Sequence, residues 1–126
     1  MRTHASIAPR RRRFDANSYA VAQHKLGLMY AEGEGVPQDY AEAMKWYRKA
    51  ADQRLAAAQF NLAAMYYHGE GVPQDYVQAH MWVSLAAAQG DADAVKARDW
   101  LAARMTPDQI AKAQALAAAW KPTDWQ

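Results

Sequence analysis

The sequence lacks cysteine and long apolar runs, and it contains few β-branched residues. Without cysteine, the 126-residue chain has neither disulfides nor thiolate metal ligands, which is typical of a reducing compartment. Its alanine-rich stretches are interrupted by Lys, Arg, Asp and Gln before they reach the roughly 18 apolar residues of a membrane span. We therefore expect a cytoplasmic protein without a membrane span.

Basic charge is concentrated near the amino terminus. The net charge is +2, but five of the fifteen basic residues are Arg2 and the run Arg10 to Arg13. Polar residues, beginning with Asp15, follow this run, so we do not expect a twin-arginine export signal. Residues 1–17 are predicted to form a flexible Arg-rich tail. Because the rest of the chain is mildly acidic, nucleic acid is not the expected partner, although the tail alone offers an alternative as a binder of nucleic acid or another anionic surface.

An octapeptide that occurs twice organises the chain. GEGVPQDY occupies residues 33–40 and again residues 69–76, an offset of 36 residues. With that shift, residues 22–53 align with residues 58–89, and about half of the positions are identical. The abundance of alanine favours helix over strand. A period of this length in a helical composition predicts an array of helix pairs.

Each copy contains the signals for two helices and a shaped loop. The first helix is predicted from apolar residues at helical spacing, which are Ala22, Leu26, Met29 and Tyr30 in one copy and Ala58, Leu62, Met65 and Tyr66 in the other. Two glycines then permit left-handed turns, a valine turns inward, and an aspartate caps the second helix. These residues are Gly33, Gly35, Val36 and Asp39 in the first copy and Gly69, Gly71, Val72 and Asp75 in the second.

The second helix of each copy completes the pattern. Glu42 and Gln78 lie three residues after the capping aspartates, in the position of a capping box. Along these helices, Trp46 and Trp82 are expected to fill the groove beside small alanines. The octapeptide therefore sets the angle between two helices, and two copies make two hairpins that stack in the same relation.

The spacing of these residues resembles the Sel1-like repeat, a relative of the tetratricopeptide repeat. The pattern runs from Ala22 to Ala51 and again from Ala58 to Ala87, with Ala63 where the family prefers glycine. The resemblance implies an all-α, right-handed solenoid of antiparallel helix hairpins. It also implies a non-enzymatic scaffold or adaptor that binds another protein or peptide, often in bacterial signalling, envelope regulation or host interaction. An alternative is hydrolysis of β-lactams or cell-wall material, to which some family members are linked.

Beyond the two copies the pattern fades. We predict one repeat over residues 18–53, a second over 54–90, and a degenerate repeat or capping helix pair over 91–126. Arg54 stands where the second repeat has Gly90, so this turn either strains the Arg54 backbone or uses a different bend, and we expect a locally different corner there. The segment TPDQ, which begins at Thr106, predicts the start of a last helix. The amino-terminal face of the stack has no full hairpin over it and is a candidate surface for homo-oligomerisation.

Motifs for catalysis, cofactors or metals are not recognisable. The histidines His4, His24, His68 and His80 show no i, i+4 pair with the acidic neighbour of a helical zinc site. The serines Ser6, Ser18 and Ser84 lack a nucleophile elbow and a recognisable base. GEGV also lacks the third glycine and the lysine of a phosphate-binding loop. We therefore predict no catalytic residue, cofactor or metal.

A groove on the concave face is the candidate functional surface. In tetratricopeptide-like stacks the first helices line that face, and the resemblance implies the same here. Its lining would be Val21, His24, Leu28 and Ala31 from one repeat and Ala57, Phe60, Ala64 and Tyr67 from the other. Such an apolar groove, flanked by Lys25, Glu32 and Asn61, suits a short peptide or a partner helix. The alternative is that Leu28, Phe60 and Tyr67 pack against the Arg-rich tail or a second subunit.

Overall fold

The computed structural model describes the backbone of residues 2–123 and the side chains of residues 17–123. Within these limits the chain forms six helices and no strand, which confirms the all-α prediction. The helices are α1 (Arg2–Glu32), α2 (Tyr40–Ala51), α3 (Ala56–His68), α4 (Tyr76–Ala88), α5 (Ala92–Ala102) and α6 (Pro107–Ala119). Helices α1 and α2 form one hairpin and α3 and α4 the next, and α3 packs on α2 as α5 packs on α4.

Helix α1 extends beyond the predicted first repeat. Its backbone is helical from Arg2 to Glu32, which differs from the flexible tail expected for residues 1–17. Alanine and arginine are strong helix formers, and a helix that already exists propagates easily into such residues. The side chains of Arg10 to Arg13 lie outside the described residues.

The GEGV loops adopt the predicted conformation. Gly33 has a φ of 71° and Gly35 a φ of 77°, the left-handed region that glycine enters without steric cost. The Gly33 amide donates to the carbonyl of Met29 at 2.8 Å, and the Asp39 amide donates to the carbonyl of Tyr30 at 2.9 Å. Both bonds recur with the same lengths 36 residues later. The two loops therefore set the same relation between their helices.

The capping prediction is confirmed for the aspartates but not for the full box. Asp39 accepts a hydrogen bond from the Glu42 amide at 3.1 Å, and Asp75 caps α4 in the same way. The Glu42 carboxylate lies 3.3 Å from Lys45 Nζ. Among the helices with described side chains, only α6 has both halves of a box, formed by Thr106 and Gln109.

The corner between the two hairpins differs from the prediction. We expected a different bend at Arg54, but Arg54 has a φ of 71° and occupies the same left-handed corner as Gly90. The Arg54 amide donates to the Ala51 carbonyl at 3.1 Å, and the Gly90 amide donates to the Ala87 carbonyl at 2.9 Å. The expectation was wrong because the surrounding repeat imposes the corner and the arginine backbone accepts the strain.

A glutamine at each corner donates a hydrogen bond to a buried glutamine of a first helix. Gln53 Nε2 donates to Gln23 Oε1 at 2.6 Å, and Gln89 Nε2 donates to Gln59 Oε1 at 3.0 Å. The amide of Gln59, which is fully buried, also donates to the carbonyl of Ala51 at 3.1 Å. These bonds satisfy polar groups that would otherwise be costly to bury.

The core lies between α2, α3 and α4, where the predicted apolar stripe of the second repeat is confirmed. Ala58, Leu62 and Met65 are buried there, and Trp82 is 1% exposed. The equivalent stripe of α1 differs from the prediction. Ala22 is exposed and Met29 is 36% exposed, whereas Met65 is only 4% exposed. The reason is geometric, because α3 has the hairpin of α1 and α2 beside it and α1 has no hairpin on that side within the described residues.

The carboxyl-terminal helix α6 is capped by Thr106 as predicted but does not pair with α5. It packs instead across α4. The residues after it, which we call the clasp (residues 120–123), reach back to the end of α2. Trp120 Nε1 donates to Asp52 Oδ1 at 3.3 Å, and the Thr123 amide donates to the Asp52 carbonyl at 2.7 Å. The Trp120 ring meets the Trp82 ring edge to face.

Candidate partner-binding groove

The first helices α1, α3 and α5 border a groove that contains two pockets. The apolar pocket, with a volume of about 160 Å³, lies between α3 and α5. Its walls include Phe60, Ala64 and Tyr67, so the structure brings these three predicted residues together. The acidic pocket, with a volume of about 230 Å³, lies between α1 and α3 and includes Leu28, Ala31 and Ala64. Ala64 therefore lines both pockets.

Aromatic side chains shape the apolar pocket. The Tyr67 ring stacks on Tyr76 with centroids 5.4 Å apart and meets Trp100 edge to face at 5.5 Å. Trp100 is 47% exposed, and the Arg104 guanidinium lies 3.6 Å from the centroid of its ring. Arg104 also donates to the Trp100 carbonyl at 2.8 Å. The pocket is thus an apolar hollow beside a partly exposed indole whose position is fixed by its neighbours.

Carboxylates and tyrosines surround the acidic pocket. Glu32 and Glu70 line it together with Tyr40 and Tyr47. A hydrogen bond with Glu34 and repulsion from its charge raise the pKa of Glu32. Burial, with a smaller contribution from the charge of Glu32, raises the pKa of Tyr47 to about 12. Among the described side chains, no ion pair involves Glu32, Glu34 or Glu70.

A polar bridge joins α1 to α3 at the groove. The Asn61 side-chain amide lies 2.8 Å from His24 Nε2, and the amide donates if this nitrogen carries no proton. Burial lowers the pKa of His24, which favours that neutral form. The His24 ring also lies 5.7 Å from the ring of Tyr47. His24 therefore helps to hold the two first helices at a fixed separation.

Sequence reasoning included three residues outside these pockets and missed others. Val21, His24 and Ala57 are on the predicted helices but line neither pocket. Ala97 and Trp100 of α5 were missed, although they lie 36 residues after Asn61 and Ala64. Continuing the repeat register into the third unit would have found them, but the loss of the consensus pattern there concealed the correspondence.

The structure also gives Ser84 a neighbour that sequence reasoning did not find. His80 Nδ1 lies 3.3 Å from Ser84 Oγ, one helical turn away on α4. His80 is only 3% exposed, and its pKa is lowered by burial and by the charge of Arg98. This contact joins two side chains that are one turn apart on the packed helix α4. Among the described side chains, no group of three or more His, Asp or Glu residues is arranged to hold a metal ion.

The repeat geometry agrees with a known family. A family model for the Sel1 repeat matches residues 20–55 and 56–91, more than half of the chain. The chain belongs to the Sel1 repeat family. Sel1 repeat proteins generally mediate protein–protein interactions, and the repeat is generally a non-catalytic scaffold. None of the described helices of this Sel1 repeat protein is long and apolar enough to cross a membrane.

Two solved structures share its fold. One is a protective antigen of uropathogenic Escherichia coli that displays an SLR fold, with 36% identity over 80% of this chain and a TM-score of 0.78. The other is a Sel1 repeat protein from Oxalobacter formigenes, with 39% identity over 69% of this chain and a TM-score of 0.66. The chain spans 22% and 36% of their respective lengths. Curated protein sequences contain no significant match.

Proposed function

We propose that this Sel1 repeat protein is a scaffold that binds a short segment of another protein in the groove bordered by α1, α3 and α5. The observation that carries the proposal is the apolar pocket beside the partly exposed Trp100. Exposed tryptophan next to an apolar hollow is typical of the few residues that dominate binding energy at protein interfaces. The general role of the family supports the same conclusion.

The size of the apolar pocket favours one large side chain as its occupant. Its volume is about 160 Å³, and a dry apolar cavity of roughly 150 Å³ in another protein accepts benzene. A leucine, phenylalanine or tryptophan of a partner would gain roughly 1.5–3 kcal/mol from burial there. The pocket therefore supports recognition of a segment with an apolar anchor.

A peptide selection with matched variants tests this function. Random peptides displayed on phage are selected against the full chain, and the affinity of the enriched peptides is measured by fluorescence anisotropy. Replacing Phe60 and Tyr67 by alanine should abolish binding, since both side chains form the pocket wall. Leu116→Ala is the control, because Leu116 is an exposed residue of α6 that lines neither pocket.

Circular dichroism of each variant shows whether the helices remain intact. Loss of peptide binding in a helical double variant, with binding retained in Leu116→Ala, is the expected result. Failure to enrich any peptide, or equal affinity in all variants, would contradict the groove as a binding site.

A further inference from the structure

The two pockets of the groove occupy equivalent places in successive repeats. Adding 36 to the acidic-pocket residues Leu28, Ala31, Glu32, Tyr47, Asn61 and Ala64 gives Ala64, Tyr67, His68, Val83, Ala97 and Trp100, all of which line the apolar pocket. The groove therefore presents the same kind of hollow twice. What differs between the two hollows is the chemistry of their walls.

The two pockets differ first in the bulk of one wall residue. In the first repeat the Tyr47 ring lies against Gly27, and a Cβ atom added to Gly27 would be 2.5 Å from Tyr47 Cδ1. In the second repeat, Val83 stands at the position of Tyr47 and Ala63 at the position of Gly27. Because the valine is smaller and has no tyrosine ring, the wall of the apolar pocket at Ala63 and Val83 is aliphatic.

The acidic pocket contains negative charge that forms no ion pair among the described side chains. Glu32 and Glu70 line it, and a hydrogen bond with Glu34, together with repulsion from its charge, raises the pKa of Glu32. The tyrosines Tyr40 and Tyr47 add aromatic rings to the same wall. Carboxylates attract a cationic side chain, and aromatic faces attract it further. The equivalent position of Glu32 in the second pocket is His68, so the charge is specific to the first.

We propose that the groove recognises two side chains of one bound segment. A lysine or arginine binds in the acidic pocket, and a large apolar residue binds in the apolar pocket. This inference rests on the proposed function and adds the chemistry of the partner. Arg104, which lies over Trp100 at the far side of the apolar pocket, disfavours a second cation there. The carboxylates of the acidic pocket and the guanidinium of Arg104 therefore also determine the direction in which the segment lies in the groove.

The repeat geometry sets the spacing of the two side chains. The acidic pocket lies between α1 and α3 and the apolar pocket between α3 and α5, and Ala64 borders both. Helix α2 packs against both α1 and α3, and α4 packs against both α3 and α5. Packed helices are about 8–10 Å apart, so successive pockets are separated by about the same distance. An extended chain advances roughly 3.3 Å per residue. The basic and apolar residues of the segment should therefore be separated by about three positions.

The test uses random twelve-residue peptides displayed on phage and selected against the full chain. The expected outcome is enrichment of peptides with a Lys or Arg about three positions from a Phe, Leu or Trp. Replacing that Lys or Arg by Met in an enriched peptide should weaken binding about tenfold. The double variant Glu32→Gln with Glu70→Gln should bind the basic peptide about tenfold more weakly than the wild-type protein does. It should bind the basic peptide and its Met-substituted form with equal affinity.

The control variant is Glu42→Gln, which removes one negative charge from α2, the helix that carries Tyr40 and Tyr47, at a residue that lines neither pocket. It should keep the preference for the basic peptide. Enriched peptides that are neutral or acidic, or a basic preference that survives in the Glu32 and Glu70 double variant, would overturn this inference and leave the proposed function standing. Absence of any enriched peptide would overturn both.

Discussion

Arg54 adopts the left-handed backbone conformation at the corner between α2 and α3, with a φ of 71°. This region costs an ordinary residue roughly 1–2 kcal/mol. We predict that Arg54→Gly raises the free energy of unfolding by about 1 kcal/mol, because the relief of strain exceeds the entropy that glycine adds to the unfolded chain. Urea denaturation of both proteins measures the change.

The equivalent corner supplies the matched control. Gly90 has a φ of 93°, and a Cβ atom added there would meet nothing within 4 Å. Gly90→Ala should therefore destabilise the protein by about 1 kcal/mol through the backbone alone. No stabilisation in Arg54→Gly, together with no loss in Gly90→Ala, would show that these corners are not strained.

His80 should make stability depend on pH. Its pKa is lowered from 6.5, first by burial and then by the charge of Arg98, while Asp99 acts in the opposite direction. As the pH falls below about 6.5, the unfolded chain takes up a proton before the folded chain does, so stability falls. We predict that His80→Gln loses less stability than the wild type between pH 7 and pH 5 in thermal unfolding. Equal losses would exclude His80 as a source of this dependence.

At the scale of elements, the GEGV loops differ in what they touch. Gly35 and Gly71 share a φ of 77°. A Cβ atom on Gly71 would lie 2.7 Å from the Tyr40 carbonyl oxygen, whereas one on Gly35 would meet only the end of Met29 at 3.4 Å. The second loop therefore packs directly against the start of α2 in the preceding hairpin.

These two glycines allow the stacking contact to be measured. Gly35→Ala should cost about 1–2 kcal/mol from the backbone conformation alone. Gly71→Ala should cost about 1–3 kcal/mol more, because the backbone of α2 must move. Chemical denaturation gives both values, and equal losses would mean that the loop does not contribute to stacking.

Met29 and Met65 provide a second matched pair. They occupy equivalent positions, but Met29 is 36% exposed and Met65 is 4% exposed. We predict that Met65→Ala costs about 2–5 kcal/mol, as expected for a buried side chain, and that Met29→Ala costs less than about 1 kcal/mol. Similar losses in equilibrium unfolding would show that the α1 face is covered in solution.

The elements were predictable where local chemistry determines them. The glycine and aspartate positions of the GEGV loops require particular backbone angles and caps, so their conformation follows from residue type. The burial of Met29 was not predictable in this way, because the same residue pattern is buried in α3 and exposed in α1. The difference depends on a neighbouring hairpin, which is a property of the whole stack.

At the scale of the whole molecule, the clasp joins the carboxyl-terminal segment to the first hairpin. Trp120 and Thr123 both bond to Asp52, and Trp120 also contacts Trp82. We predict that Trp120→Ala costs about 2 kcal/mol. In a double-mutant cycle, its coupling to Asp52→Ala should be about 0.5–1.5 kcal/mol. Arg98→Ala, a change on α5, serves as the additive control, and additive losses for Trp120 and Asp52 would contradict the clasp.

The groove was only partly predictable from the sequence because, like the burial of Met29, it depends on how neighbouring repeats pack. Phe60, Ala64 and Tyr67 follow from the face of one helix, and the structure places them in one pocket. Glu70 and Trp100 come from a loop and from α5, so their approach to α3 depends on how successive repeats pack. A periodic sequence identifies the lining of each helix, whereas the contents of a pocket between helices depend on the assembled stack.

The central claim is that a partner segment binds in the groove rather than elsewhere on the protein. The most direct measurement is a two-dimensional ¹⁵N NMR titration of the full chain with a selected peptide. The account predicts shifts of the Trp100 indole and Asn61 side-chain signals, with the Trp120 indole signal unchanged. Shifts at Trp120 with none at Trp100 and Asn61 would contradict it.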